Sequence, residues 1–269
     1  MSTALLVIDP QNDFMDSPEF TGSLAVPGAY DDMQRLTVYM KKNVPDAIFI
    51  TMDTHAKYDI SHAMWWVNAQ GLAPAPFTVI TPDDVTSGKW KALKPADQEH
   101  SEFYVKELAK KNKYPLCIWP YHCIDGTQGH KMEATFTQAV HAWETETGKK
   151  AEYIYKGMNP KTEHYSGLKA EVTLGDDEST QLNTSTITKL NNYNSILVAG
   201  EAQSHCVSST TIDLLENIGI NNASKVTLLT DCMSSVPGFE KNGEDFLLIA
   251  REKGANLMKV ESPSNQMKM

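Results

Sequence analysis

The sequence predicts a three-layer α/β/α fold built on a mostly parallel sheet of about six strands. Short apolar runs rich in β-branched residues recur along the chain between polar turns. Segments with apolar residues at helical spacing separate them. Continuous apolar runs suit strands covered on both faces, as in a parallel sheet. Alternation of strand and helix then implies right-handed crossovers.

The first run, residues 4–8, follows the N-terminus with no basic flank, so it reads as a strand and not as a signal peptide. Residues 31–42 place Met33, Leu36 and Met40 on one helical face, and 47–51 give the second strand. Residues 77–115 are polar, lysine-rich and punctuated by Pro, Gly and Asp; they are expected to be an insertion or lid on a single domain spanning 1–269, with a helix over 100–111. Met132, Phe136, Val140 and Trp143 form one stripe in a helix over 130–147. Strands are expected at 153–155, 195–199, 225–229 and 256–260. Helices are expected at 205–217 and 240–253, the latter stopped by Gly254.

With 41% hydrophobic and 22% charged residues, the composition is that of a globular protein. No apolar stretch approaches the roughly 18 residues of a membrane span. The net charge of −10, with Arg35 and Arg251 the only arginines, argues against a nucleic-acid partner. Lysines do cluster over 106–113, but the surrounding acids make that stretch a solvated helix face. Cys117, Cys123, Cys206 and Cys232 contain no Cys-x-x-Cys pair, so no disulfide framework is expected. The expected compartment is the cytoplasm.

In open α/β sheets the working residues lie just beyond the C-terminal ends of the strands. That rule selects Asp9, Asp53, Lys156, the turn 200–206 and Asp231. Cys206 falls between a strand and a helix, where the helix dipole lowers a thiol's pKa and free N–H groups can hold an oxyanion. Each residue alone has an ordinary reading: a buried small cysteine, a turn carboxylate, a lysine at a strand edge. An acid, a cation and a thiol delivered to one sheet edge form the set expected of an activated nucleophile.

Five segments carry a resemblance. They are Val7-Ile-Asp-Pro-Gln-Asn-Asp-Phe with Gly22-Ser-Leu-Ala-Val-Pro-Gly-Ala, Trp119-Pro-Tyr-His-Cys-Ile-Asp-Gly-Thr-Gln-Gly, Lys156-Gly, Gly200-Glu-Ala-Gln-Ser-His-Cys-Val and Asp231-Cys-Met-Ser-Ser. In this order they resemble the motifs of the nicotinamidase/isochorismatase-like cysteine hydrolases. The resemblance implies a catalytic triad of Asp9, Lys156 and Cys206, a cis peptide before Ala202, and an oxyanion hole from the N–H groups of Ala202 and Cys206. Glu201 departs from the pattern, because relatives usually carry an apolar residue there.

Asp53 and His55, two positions apart on an extended segment, can face one ion. The metal-binding branch of the family adds His122 by resemblance. Two histidines and a carboxylate suit a divalent metal, zinc first and Fe²⁺ or Mn²⁺ as alternatives. His62 is a secondary candidate ligand. Phe14, Trp65 and Trp66 either clamp a flat substrate or pack a core.

The expected activity is hydrolysis of a small carboxamide, nicotinamide first, through a Cys206 thioester. Within the family the alternatives are N-carbamoyl or ureido amidohydrolysis and isochorismatase-type hydrolysis, and the metal set favours the amidases. The alternative outside enzymes is an inactive binding homologue. A small-molecule amide is the expected partner, with no membrane partner, and the resemblance further implies a homo-oligomer.

Overall fold

The first apolar run becomes the centre of the sheet. In the computed structural model, which describes residues 1–260, β1 (Thr3–Ile8) is buried from Ala4 onward. The last residues of the expected single domain, 261–269, lie outside the described residues. Five further strands complete the main sheet: β2 (Ala47–Asp53), β3 (Glu152–Lys156), β4 (Ser195–Gly200), β5 (Val226–Leu229) and β6 (Asn256–Met258). Their order is β6-β5-β4-β1-β2-β3, and every neighbouring pair is parallel.

This order contains one reversal. From β1 the chain winds outward through β2 and β3, then returns to β4 and winds outward the other way through β5 and β6. Adjacent β1 and β4 therefore flank the topological switch point, where a crevice opens beyond the strand ends. Their register pairs Ile8 with Gly200, so Asp9 and the turn that leads to Cys206 leave the sheet side by side. Gly200 adopts a φ of 120°, and a Cβ there would meet the Ile8 carbonyl oxygen at 2.1 Å. Only glycine permits that approach.

Helix α1 (Ala29–Lys42) packs against α3 (Ala134–Thr147), and α5 (Ser208–Asn217) against α6 (Glu240–Glu252). Right-handed crossovers place the two pairs on opposite faces. Helix α6 ends as its sequence indicates: Gly254 has a φ of 101°, and the Ala255 N–H reaches back to the Ala250 carbonyl. Helix α4 (Thr184–Asn191) was not expected, because its threonines are poor helix formers. It starts on Asn183, whose side chain accepts the Thr186 N–H at 3.0 Å.

The polar segment 77–115 folds around helix α2 (Gln98–Lys110) and a short helix, Pro82–Thr86, with a capping box from Thr81 and Asp84. With residues from Ile60 onward it encloses an apolar cluster that includes Trp65, Trp66, Val85, Tyr104 and Leu108. Among the described residues no helix is long and apolar enough to cross a membrane. All four cysteines are free and buried.

Candidate active site

Beyond the sheet's C-terminal edge, Lys156 joins the expected residues. It is 3% exposed, and its Nζ lies 3.0 Å from Asp9 Oδ2, 2.9 Å from Asp53 Oδ1 and 3.5 Å from Cys206 Sγ. It also donates to the His164 carbonyl at 2.9 Å. Asp9 turns out of β1 with a φ of 44° and is oriented by Thr51, whose hydroxyl donates to Oδ1 at 2.5 Å. Gln11 ties the ends of β1 and β2 together: it accepts the Asp53 N–H at 2.7 Å and donates to the Asp53 carbonyl at 2.8 Å.

Cys206 lies in a π-type turn, Gln203–Val207, continuous with α5. The Glu201–Ala202 peptide is cis. Among the described residues no acceptor in the chain takes the Ala202 N–H. Electrostatics at the thiol differ from the sequence expectation. Burial pushes the Cys206 thiol well above its ordinary value, Lys156 opposes, and Asp9 and Asp53 reinforce the rise. The rise comes first from the dry surroundings and then from the carboxylates, with the Lys156 cation against it. Burial also raises Asp9, against the pull of Lys156. Burial disfavours the Lys156 cation, but Asp53 and Asp9 overcome it and keep the ammonium charged. These directions favour a protonated thiol beside a carboxyl of raised proton affinity.

Asp53, His55 and His122 form a second group, each offering a ligand atom within 4.8 Å of the others. Asp53 Oδ2 is 3.1 Å from His55 Nε2 and 3.3 Å from His122 Nε2. A tetrahedral ion with bonds of about 2.0–2.1 Å holds its ligand atoms about 3.3–3.4 Å apart, so this spacing fits one. The opposite ring nitrogens are fixed, His55 Nδ1 at 3.2 Å from Asp59 Oδ2 and His122 Nδ1 at 2.9 Å from the Pro120 carbonyl. Such outer contacts set the tautomer that turns Nε2 toward a metal. Burial disfavours the His55 cation, yet Asp53 and Asp59 raise its proton affinity well above ordinary, which marks a place built for positive charge. His62 is adjacent, its ring 5.0 Å from that of His55 and its buried Nε2 without a partner among the described residues.

A small cavity of about 20 Å³ joins the two groups, lined by Phe14, Leu24, Asp53, Trp119, His122, Glu163, Tyr165, Ala202, His205, Cys206 and Val236. The chain is similar to the yeast nicotinamidase bound to the inhibitor nicotinaldehyde, with 18% identity over 96% of this chain and 99% of that one and a TM-score of 0.66. It is likewise similar to an Acinetobacter baumanii nicotinamidase/pyrazinamidase, with 18% identity over 96% of each chain and a TM-score of 0.63. The fold is that of the nicotinamidases. A Pyrococcus horikoshii pyrazinamidase in complex with zinc is similar too, with 20% identity over 96% of this chain and 99% of that one and a TM-score of 0.55. No protein-family model and no curated protein matches the chain.

Within this nicotinamidase fold, Phe14 lines the cavity, its ring 5.6 Å from His122. Trp65 and Trp66 do not line it. Each is 1% exposed in the lobe cluster, with indole N–H groups bonded to Ser101 Oγ and the Ile60 carbonyl. Their hydrophobic area closes the lobe, and Trp119 and Tyr165 supply aromatic cavity wall instead. Trp65→Ala is therefore expected to cost about 3–5 kcal/mol of stability in urea denaturation. Unchanged stability with a raised KM would return Trp65 to the substrate site.

Sequence reasoning missed Asp59, Glu163 and His205. Glu163 Oε1 lies 3.9 Å from His55 Nε2, and burial raises its carboxyl's proton affinity. His205 stacks on Tyr114 and is pushed down to about 4 by burial, so it meets the cavity neutral. The only signal for His205 was its place beside Cys206, and the loop carrying Glu163 has no periodicity.

Proposed function

We propose that the chain is a metal-assisted cysteine amidohydrolase that cleaves a small carboxamide, nicotinamide first, through an acyl thioester on Cys206. The observation that carries this reading is Lys156 Nζ in reach of Asp9, Asp53 and Cys206 Sγ at once, on a cavity that also meets the Asp53–His55–His122 group. The similarity to nicotinamidases, one bound to nicotinaldehyde, supports the substrate class.

Asp9 removes the thiol proton as Sγ bonds to the amide carbonyl carbon. The Lys156 ammonium stabilises the developing thiolate. The Ala202 and Cys206 N–H groups receive the oxyanion. The C–N bond breaks as Asp9 returns the proton to nitrogen, releasing ammonia. Asp9 then takes a proton from water, the hydroxyl cleaves the thioester, and the proton returns to Sγ. A divalent ion held by Asp53, His55 and His122, zinc first, would supply a Lewis-acid anchor for a ring nitrogen or polar group of the substrate.

The test is ammonia release from nicotinamide, pyrazinamide and an N-carbamoyl compound by metal-loaded and chelator-stripped protein. Release from the carboxamides, lost on stripping and restored by zinc, is the expected result. Release from the N-carbamoyl compound alone would move the chain to ureido chemistry. Separately, Asp59→Ala leaves His55 Nδ1 without its carboxylate partner, and metal affinity is expected to fall about 10–100-fold in a chelator competition assay. Unchanged affinity would remove His55 from the ligand set.

A further inference from the structure

Directly beneath the nucleophile turn lies a group of charged side chains that the proposed chemistry does not use. Glu201, the first residue after Gly200, is fully buried. Its Oε2 accepts the Ser234 N–H at 3.1 Å, while Oε1 is buried without a hydrogen-bond partner among the described residues. Asp32, 2% exposed in the first turn of α1, accepts from the Ser234 hydroxyl and pairs with Arg35. Arg35 in turn donates to the Asp231 carbonyl at 2.6 Å.

These contacts fasten two segments that line the cavity. The Gly200 N–H bonds the Cys232 carbonyl at 2.9 Å, the Gln203 N–H bonds the Ser234 carbonyl at 2.7 Å, and the Val236 N–H bonds Ser204 Oγ at 3.1 Å. The turn with Ala202 and Cys206 is thus laced to residues 231–236, and Glu201 and Ser204 are its side-chain anchors in that lacing.

We propose that Glu201 is a positioning residue: as an uncharged acid it joins the nucleophile turn to Ser234 and, through Asp32, to helix α1, which sets the place of Ala202 and Cys206. This rests on the proposed cysteine chemistry and adds a residue to it.

The charge state follows from the surroundings. Asp32 and Arg35 face Glu201 from α1, and Asp231 and Cys232 belong to the loop after β5. One guanidinium serves two buried carboxyls, so one of them keeps its proton. Glu201 is that one. Burial, then the neighbouring Asp32, pushes it well above the usual carboxylate range; burial raises Asp32 as well, but there hydrogen bonds from Ser234 and Arg35 oppose the rise. A protonated Oε1 gains a donor that the Asp32 carboxylate can take; an ionised one would be a buried anion beside another.

The sign follows. The working form is protonated, so raising the pH removes it, and turnover falls on the alkaline side. Glu201→Gln keeps a neutral acceptor for the Ser234 N–H and an NH₂ donor toward Asp32, and has nothing to ionise. Glu201→Ala keeps neither.

The experiment measures kcat and KM for nicotinamide against pH in the metal-loaded wild type, Glu201→Gln and Glu201→Ala. Iodoacetamide labelling of Cys206 is followed in parallel at one fixed pH. The Gln variant is expected to stay within about 3-fold of wild-type kcat near neutrality and to lose the alkaline fall. The Ala variant is expected to lose about 10–100-fold in kcat with KM little changed, the scale of a displaced reacting group. Labelling is expected to be slowed in the Ala variant and close to wild type in the Gln variant. An alkaline limb that persists in Glu201→Gln would overturn the proposal, and so would labelling that is equal in all three proteins. If no amide turns over in the wild type, the substrate reading fails while the labelling comparison still decides on Glu201. If Glu201→Ala does not fold, the Gln variant's pH profile decides.

Discussion

Replacing Cys206 with alanine is expected to lower turnover by about 10⁴-fold or more, the scale seen when a covalent nucleophile is deleted. No other group in the cavity can take its place. Cys117 and Cys123 are absent from the cavity lining, and burial pushes both thiols up, Cys117 to about 12. Neither contacts Lys156 Nζ as Cys206 does, at 3.5 Å. The substitution removes a small atom from the cavity wall and leaves the Asp9–Lys156–Asp53 pairs intact, so the fold and metal affinity are expected to survive. Steady-state ammonia release checks the loss, and metal titration of the same variant separates lost chemistry from lost structure. A Cys206→Ala protein with a tenth of wild-type turnover would mean that water attacks directly, and the thioester route would be wrong.

Lys156→Met is expected to damage both stability and catalysis. Nζ stands 3.0 Å from Asp9 and 2.9 Å from Asp53, with all three side chains at most 3% exposed. Removing one partner of a buried ion pair costs about 3–5 kcal/mol, because the remaining charge is left uncompensated. A metal at Asp53 compensates one of the two carboxylates, so the loss is expected to be smaller in zinc-loaded protein. Asp9 has no such relief. Lys156 is what opposes burial at its carboxyl, so without the lysine Asp9 takes up a proton and stops acting as a base. Turnover is then expected to fall by about 10²–10⁴-fold, the worth of a general base. Urea denaturation with and without zinc, together with kcat/KM, measures the two effects. Wild-type stability in the metal-free variant would show that the pairs are solvated and that this electrostatic account is wrong.

The sheet was legible because strands buried on both faces must be apolar throughout, and few other segments of this chain are. Asp9, Lys156 and Cys206 stood out for the related reason that charge and thiol ended such runs. Register and strand order lie beyond one-dimensional pattern, yet they bring these ends together, with Ile8 beside Gly200 and Asp53 beside Lys156. The tryptophans stayed open between clamp and core because a pair of aromatics next to a ligand segment reads equally as either, and only the packing around them decides. Helix α4 was obscured by threonines whose low propensity its Asn183 cap and packing offset. The rise in the thiol's proton affinity was out of reach because burial and the neighbouring carboxylates are tertiary quantities. Asp59 and Glu163 were invisible because loops without period deliver them.

The central claim is a covalent acyl intermediate on Cys206. The most direct measurement is acid quenching of metal-loaded protein during turnover of nicotinamide, followed by mass spectrometry of the peptide containing Cys206. The account predicts a nicotinoyl adduct on that peptide, removed by hydroxylamine and missing from Cys206→Ala. Sustained ammonia release with no adduct at any quench time, and undiminished in Cys206→Ala, would contradict it.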